Sequence, residues 1–310
     1  MSEHPWDADR ELTVAQATEA IRSQFPDVAA NAVQPIGSGW DNDAFVVDDL
    51  WIFRFPRRRN VADQLDKERG LAPIVARALS DLGIAVPAMS MPGEPCDDFP
   101  YRFTGYPRLA GTPADQLPED QIDATVIPET LGAALVRLHS IPVSEVADLG
   151  RDVVDVDADG PEPWLQEAQL IADDLSSRET GEVAECVAWL ANSPIVPEHY
   201  SGELRLIHND LSPDHVLVDS ETHRVVGLLD FGDAALGDPA LDFVVLPSWL
   251  GWEKTERVLR AYATPTDSGL LERLRFLSRA GSLIWLHDTH LQNADVEKHR
   301  RWVLNAFGSA

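Results

Sequence analysis

The stretch LIHNDLSPDHVLVD, residues 206–219, concentrates polar side chains between two short apolar runs. Its His208, Asp210 and His215 lie in a predicted turn, and the apolar residues on either side favour a strand–loop–strand hairpin. Such a hairpin would bring the three side chains together at one end. Charged groups placed side by side repel each other unless they are solvated or paired, so the grouping indicates a functional site.

The spacing within this stretch is typical of phosphoryl-transfer enzymes. Residues 208–215 follow the pattern H-x-D-L-x-x-x-N of kinase catalytic loops, with His215 in the position of the asparagine. The tripeptide DFG begins at Asp230, 20 residues after Asp210, where a predicted strand ends. Kinases place a metal-binding aspartate at that point. Each motif alone is weak, but together and in this order they predict a kinase.

Three upstream positions match the same pattern. Ser38 and Gly39 lie in a glycine turn between the first two predicted strands, although a plain hairpin turn has the same sequence. The third strand contains WIFRF, with Arg54 where kinases keep a lysine that pairs with the phosphates, and Glu68 follows 14 residues later on the next helix. Arginine keeps the charge and can bind both phosphate and carboxylate, but its geometry differs from that of lysine.

Hydrophobic periodicity divides the chain into a β-rich part and a helical part. A helix is predicted over Thr13–Phe25, three strands between about Ala32 and Phe55, and two more strands at 84–91 and 101–109. Asn60 is expected to cap a helix that kinks or restarts at Gly70 and Pro73. From residue 112 onward helical patterns dominate, for example over 128–142 and 270–290. We therefore predict an α+β, protein-kinase-like bilobal fold. Its β-rich nucleotide-binding lobe covers residues 1–106, its hinge 107–111 and its helical lobe 112–310.

Composition limits the partners and the compartment. The 310 residues carry a formal net charge of −27, which disfavours nucleic acid and anionic membranes and would attract a cationic ligand, although acidity can also serve solubility alone. No apolar run approaches the length of a membrane span, and the first residues lack the apolar segment of a signal peptide. Two cysteines provide no disulfide framework and suit a reducing compartment, so a cytoplasmic protein is expected.

With these motifs in place, the chain resembles the aminoglycoside phosphotransferase family of antibiotic kinases over about residues 35–245. The sequences IHNDLSPDHVLVD and GLLDFGDAALGDPALDF are similar to those of 2''-aminoglycoside kinases. His215 and the sequence WIFRFPRR are similar to features of macrolide 2'-phosphotransferases, and LGAALVRLHSIP resembles the helix before the catalytic loop in both groups. The resemblance implies transfer of the γ-phosphate of ATP or GTP to a hydroxyl of a small molecule.

The resemblance also implies roles for individual residues. Asp210 would be the catalytic base and Asp242 would brace its loop, while His215 and Asp230 would be ligands of Mg²⁺. Magnesium prefers oxygen ligands, so His215 is the less usual of the two and could act through a water. The remaining expected nucleotide contacts come from the glycine turn (Ser38, Gly39), the strand and helix pair (Arg54, Glu68) and the hinge (Pro107, Leu109). Pro107 can offer only its carbonyl, so the amide donor would be that of Leu109.

Several functions remain open at this point. Aminoglycosides are the first expected substrates, macrolides the second, and another small hydroxyl metabolite such as a choline-like or sugar-like compound the third. Arg54 in the lysine position favours a nucleotide-binding pseudokinase, whereas Asp210 and Asp230 favour an active enzyme. An interaction protein without a nucleotide site fits the sequence least well.

Overall fold

In a computed structural model of the chain, residues 8–38, 41–118, 126–147, 160–192, 194–264, 267–292 and 294–308 are described. The chain forms two compact units. The first comprises Met1–Gly111 with Val226–Gly232, and the second comprises Thr112–Val225 with Asp233–Ala310. Within the described residues, no helix is long and apolar enough to cross a membrane.

The first unit is a five-stranded antiparallel sheet with two helices. Its strands are ordered β1-β2-β3-β5-β4. Its described elements are α1 (Val14–Gln24), β1 (Val33–Ser38), β2 (Asn42–Val47), β3 (Trp51–Pro56), α2 (Arg59–Leu79), β4 (Met91–Gly93) and β5 (Phe103–Pro107). The predicted first helix and first three strands are confirmed, and Thr13 caps α1 through a capping box with Gln16.

Strand alternation sorts the side chains of this sheet onto two faces. On one face an aromatic cluster packs with α1, and it includes Phe53, Phe55 and Phe103, the last two of which stack with ring centroids 4.5 Å apart. On the opposite face Ile52 packs with Ala72 of α2. Because side chains in a strand alternate, Arg54 shares the face of Ile52 and points toward α2. The two-residue period of β3 thus directs a cation into the interior of this unit.

The helix α2 differs from the sequence prediction. Arg58 is its N-cap residue, so Asn60 lies within the first turn, and one uninterrupted helix passes Gly70 and Pro73. Pro73 is exposed, while Leu71 and Val75 on either side of it are buried. The continuous apolar face explains why packing overrides the expected break, although an interior proline costs about 3 kcal/mol in an isolated helix.

The predicted strand at residues 84–91 was also wrong. Only Ala85 makes a β-bridge there, parallel to Gly227, and a regular strand begins at Met91. Pro87 removes a backbone donor and Met89 has a φ of 46°, which a regular strand does not allow.

The second unit is mostly helical with short strands. Its described strands are β6 (Thr112–Pro113), β7 (Arg205–Ile207), β8 (Val216–Val218), β9 (Val225–Leu228, which continues into the first unit) and β10 (Ala235–Gly237). Its described α-helices are α3 (Ile127–His139), α4 (Val143–Ala147), α5 (Glu162–Leu170), α6 (Ala172–Arg178), α7 (Gly181–Ala191), α8 (Leu246–Leu250), α9 (Trp252–Tyr262), α10 (Leu270–Leu291) and α11 (Glu297–Phe307). Buried residues of α5, α6, α7, α10 and α11 form one hydrophobic core.

The expected hairpin at 206–219 does not form. Strand β7 pairs with β10, and β8 pairs with β6, so the two flanking strands belong to different sheets. Between them a 3₁₀ helix, Pro213–His215, turns the chain. Backbone partners from elsewhere in the unit therefore hold the segment, and hairpin pairing contributes nothing.

The helices α3 and α9 pack closely through a glycine. A Cβ atom at Gly132 would lie only 2.6 Å from the carbonyl oxygen of Val258, so any other residue would push the two helices apart. This close approach brings together the C-terminal ends of both helices, where His139 and Tyr262 lie.

Candidate active site

A buried carboxylate holds the backbone of the loop at residues 208–215. Asp242 is 0% exposed, and its Oδ2 and Oδ1 accept hydrogen bonds from the backbone N–H groups of His208 (2.9 Å) and Asn209 (2.8 Å). The bracing role expected for Asp242 is thereby confirmed. Two fixed donors on one carboxylate restrain the residues immediately before Asp210.

The carboxylate of Asp242 is itself held by a second layer of side chains. Nε2 of His139 lies 2.9 Å from Asp242 Oδ2, and Nδ1 lies 2.8 Å from the hydroxyl of Tyr262. An ionised carboxylate only accepts, so Nε2 of His139 donates to Asp242, and Nδ1 shares the other hydrogen bond of the ring with the hydroxyl of Tyr262. Burial alone would raise the pKa of Asp242, but the hydrogen bond from His139, together with the loop, holds it below its ordinary value. Asp242 therefore stays ionised.

The loop uses a left-handed residue to present Asp210. Asn209 has a φ of 65°, a region in which asparagine is tolerated better than most residues. The side chain of Asp210 is 47% exposed, whereas that of His208 is fully buried. The arrangement places an accessible carboxylate on a rigid backbone.

His215 is oriented by the same loop. Its Nδ1 donates to the carbonyl oxygen of Asp210 at 2.8 Å. Nε2 lies 3.7 Å from a carboxylate oxygen of Asp214. Asp210 and His215, which the sequence analysis selected together, are therefore neighbours in the second unit.

In the first unit, one arginine binds two carboxylates. Nη1 of Arg54 donates to Glu68 at 2.7 Å, and Nη2 lies 3.1 Å from each carboxylate oxygen of Asp230. The side chains of Arg54 and Glu68 are 8% and 3% exposed, and that of Asp230 is 32% exposed. Three residues selected from sequence, separated by up to 176 positions, thus form one cluster.

The charges of this cluster are unevenly balanced. Burial disfavours the charged guanidinium, but Glu68 and Asp230 raise the pKa of Arg54, which stays protonated. Burial raises the pKa of Glu68 to about 7, because desolvation outweighs the attraction of Arg54. Above about pH 7, where both carboxylates are ionised, the three side chains carry a net charge of −1, which favours an additional cation.

Metal-binding capacity differs between the two expected ligands. Asp230 offers a partly exposed carboxylate, the ligand type that Mg²⁺ prefers, whereas His215 offers a nitrogen. No group of three or more His, Cys, Asp or Glu side chains arranged to hold a metal occurs in the part of the chain that the structure describes. Mg²⁺ sites in phosphoryl-transfer enzymes use one or two carboxylates plus substrate phosphates, so Asp230 fits such a site.

Two of the other expected nucleotide contacts, Ser38 and Pro107, lie at the ends of strands. Ser38 is the last residue of β1, and Gly39 lies outside the described residues. Pro107 is the last residue of β5, where it is exposed and pairs in register with Trp51, and Leu109 follows it half-buried.

Sequence reasoning missed the support that His139 and Tyr262 give to Asp242. The segment LGAALVRLHSIP was recognised as a helix, but its histidine received no role. A histidine at the last position of an apolar helix was the available signal. Nothing in the sequence pairs it with Tyr262, 123 positions away.

Comparison with protein families identifies a match over most of the chain. The model of the phosphotransferase enzyme family (APH) matches residues 32–277. The uncharacterized protein YcbJ of Bacillus subtilis (strain 168) is 28% identical over 265 residues, covering 80% of each chain. The aminoglycoside 3'-phosphotransferase of Streptomyces ribosidificus is 29% identical over 212 residues, covering 66% of this chain and 75% of the relative.

Solved structures share the fold. The GDP and kanamycin complex of APH(2'')-IIIa is 25% identical with a TM-score of 0.68, covering 94% of this chain and 95% of that chain. A macrolide 2'-phosphotransferase type I is 20% identical with a TM-score of 0.61, covering 97% of this chain and 100% of that chain. The expected kinase-like α+β fold is confirmed by these similarities and by the antiparallel sheet and helical parts of the chain.

Proposed function

This chain belongs to the phosphotransferase enzyme family, and we propose that it transfers the γ-phosphate of ATP or GTP to a hydroxyl of an aminoglycoside. The proposal rests chiefly on Asp210, whose half-exposed carboxylate lies on a loop that the buried Asp242 holds through two backbone hydrogen bonds. Such a carboxylate can accept a proton without moving its backbone.

In this proposal Asp210 is the catalytic base. Phosphoryl transfer needs in-line positioning and stabilisation of negative charge more than covalent help from the protein. Asp210 orients the acceptor hydroxyl and takes its proton as the hydroxyl oxygen bonds to the γ-phosphorus, while the bond from that phosphorus to the bridging oxygen breaks and the nucleoside diphosphate leaves. General-base assistance of this kind contributes about 10²–10⁴-fold to a rate.

Residues of the first unit would bind the nucleotide. Arg54, positioned by Glu68, contacts the phosphates, and Ser38 and Gly39 cover them. The backbone groups of Pro107 and Leu109 hold the base, with 1–106 as the nucleotide-binding lobe, 107–111 as the hinge and 112–310 as the lobe that binds the acceptor. The boundary between the two units, which falls after Gly111, supports this division. So does the cationic side chain of Arg54, which forms a buried ion pair with Glu68 in the first unit.

Asp230 would hold Mg²⁺, with His215 as a further ligand or as a partner through water. When bound, Mg²⁺ supplies positive charge that offsets the phosphates. The net negative charge of the Arg54, Glu68 and Asp230 side chains supports Asp230 as the main ligand. His215 is already fixed by the carbonyl of Asp210, so it also orients that loop.

The acceptor is proposed to be cationic. A net charge of −27 attracts polycations and disfavours nucleic acid, and a relative at 29% identity is named an aminoglycoside phosphotransferase. A macrolide is the second candidate, favoured by His215 in place of asparagine.

Transfer of labelled phosphate tests the proposal. The protein is incubated with Mg²⁺ and γ-labelled ATP or GTP against aminoglycosides, macrolides, choline and sugars, beside the matched variant Asp210→Asn. We expect label on an aminoglycoside and a loss of about 10²–10⁴-fold in the variant, with nucleotide affinity retained. Label on another class of compound would identify that class as the acceptor instead of an aminoglycoside. Mg²⁺-dependent nucleotide binding without transfer to any acceptor would indicate a pseudokinase.

A further inference from the structure

The two terminal nitrogens of the Arg54 guanidinium, Nη1 and Nη2, contact two carboxylates that differ in solvent exposure. Nη1 faces Glu68, which is buried on α2, and Nη2 faces both oxygens of Asp230, which is 32% exposed. A ligand approaching the cluster from solvent can therefore reach Asp230 more readily than Glu68. The carboxylate proposed to bind the metal is also the one that Arg54 occupies.

Arginine and a metal ion compete for the same oxygens. Both contacts of Nη2 to Asp230 are 3.1 Å long, so each oxygen of the carboxylate already faces positive charge. A divalent cation placed close to these oxygens would be repelled by an unmoved guanidinium. Glu68 acts in the opposite sense, because it attracts the same guanidinium away from Asp230.

We propose that Arg54 is a positioning residue that sets the Mg²⁺ dependence of nucleotide binding, through the division of its guanidinium between Glu68 and Asp230. In the nucleotide-free protein Nη2 holds Asp230 in place. This contact persists when nucleotide binds without metal; when nucleotide binds with Mg²⁺, Nη2 exchanges the carboxylate for a phosphate oxygen and Asp230 becomes available to the metal. This inference rests on the proposed nucleotide site.

The choice of arginine matters for this exchange. A planar guanidinium presents separate N–H groups to two carboxylates at once, whereas a lysine ammonium is a compact point charge on a different stem. A lysine in this position would pair with only one of the two carboxylates, and the buried Glu68 is better placed to be that partner than Asp230. Arg54→Lys should therefore release Asp230, and Glu68→Gln should commit Arg54 to Asp230.

The measurement is the ratio of nucleotide dissociation constants in EDTA and in excess Mg²⁺. Calorimetric titration with a non-hydrolysable ATP or GTP analogue at about pH 8 gives both constants. Comparing this ratio between variants cancels effects on phosphate binding that are common to both conditions, and it cancels metal–nucleotide association in solution, which is the same for every variant. We expect Arg54→Lys to raise the ratio about fivefold and Glu68→Gln to lower it by a similar factor, as for a partly exposed ion pair.

A second buried arginine provides the matched control. Arg273, 2% exposed, binds Asp238 at 2.5 Å and Asp267 at 2.9 Å, so Arg273→Lys also replaces an arginine that joins two carboxylates. It should leave the ratio unchanged. If Arg54→Lys does not fold, Glu68→Gln still tests the inference: a lowered ratio supports it, and an unchanged or raised ratio overturns it.

The outcomes separate this inference from the proposed function. Opposite shifts in the two variants support the role of Arg54. Unchanged ratios, or shifts in the same direction, would overturn it while leaving nucleotide binding and catalysis intact. An unmodified protein that binds no nucleotide under either condition overturns both.

Discussion

Two buried carboxylates, one in each unit, lose their contact with water to the same extent, but their pKa values are shifted in opposite directions. Asp242 is 0% exposed and Glu68 is 3% exposed. Asp242 receives two backbone N–H groups and the imidazole of His139, and its pKa is lowered. Glu68 receives Arg54, which also binds Asp230, and its pKa is raised to about 7.

This comparison shows that the number and kind of hydrogen-bond donors decide whether the pKa of a buried carboxylate rises or falls. Desolvation penalises both charged carboxylates, and hydrogen bonds and opposite charges that favour the ionised form oppose its effect. Backbone donors cannot leave Asp242 without unfolding the loop, so this carboxylate is a permanent support. The guanidinium at Glu68 is a side chain with a second partner, so this carboxylate belongs to an adjustable cluster.

Replacing Asp242 should produce the largest effect on stability. In Asp242→Asn the amide nitrogen faces N–H donors, and buried donors lose an acceptor. We expect a loss of about 3–5 kcal/mol in the free energy of unfolding, measured by urea denaturation. Glu68→Gln keeps an oxygen for Arg54 and should cost about 1 kcal/mol or less near pH 7. Equal losses would contradict the distinction between the two carboxylates.

The pH dependence of stability provides the second and intermediate effect. The folded-state pKa of Glu68 is about 7, above its ordinary 4.5, so its contribution is fully present below about pH 4.5 and is lost as the pH rises through 7. The unfolding free energy of the unmodified protein, relative to Glu68→Gln, should fall by up to about 3 kcal/mol over that interval.

The contribution of Asp242 to stability should depend on pH in the opposite direction. Its folded-state pKa is depressed, so its contribution is present above the unfolded value of 3.8 and is lost only as the pH falls through the folded value. Denaturation curves of Asp242→Asn and the unmodified protein should therefore differ by a constant amount above about pH 5. A difference that varies between about pH 5 and 8 would contradict this assignment.

The smallest effect concerns the loop that Asp242 supports. Asn209 has a φ of 65°, where a Cβ atom without a compensating polar side chain costs about 1–2 kcal/mol. We expect Asn209→Ala to lower the free energy of unfolding by about 1 kcal/mol and Asn209→Gly to lower it by less. Thermal unfolding of the two variants measures the difference. If alanine is tolerated as well as glycine, the left-handed backbone contributes nothing to the rigidity of the loop.

Much of the site followed from local patterns. The spacing of Asp210, His215 and Asp230 predicted a kinase, and the kinase pattern selected Arg54 on the third strand and Glu68 on the next helix, which form an ion pair. These features depend on residues that are near in sequence or on the fixed geometry of a strand, so they can be deduced without knowing the rest of the chain.

Other local deductions failed because long-range packing outweighed them. The apolar runs around residues 208–215 were expected to pair with each other, but β7 and β8 found partners in β10 and β6. Proline and glycine were expected to interrupt α2, but its buried face holds it together across Pro73. Propensity and spacing express preferences of about 1–3 kcal/mol, which burial of an apolar face can exceed.

The amino-acid sequence by itself determined the order and identity of the chemical groups: the carboxylates of Asp210 and Asp230 at kinase spacing, and an arginine where kinases keep a lysine. Only the tertiary structure decided which donors each carboxylate receives, namely His139 and two backbone amides for Asp242, and a shared guanidinium for Glu68. The reason is physical. Ionisation and mobility depend on desolvation and on the geometry of hydrogen bonds between residues that lie 14 to 176 positions apart, and this geometry exists only after the chain has packed.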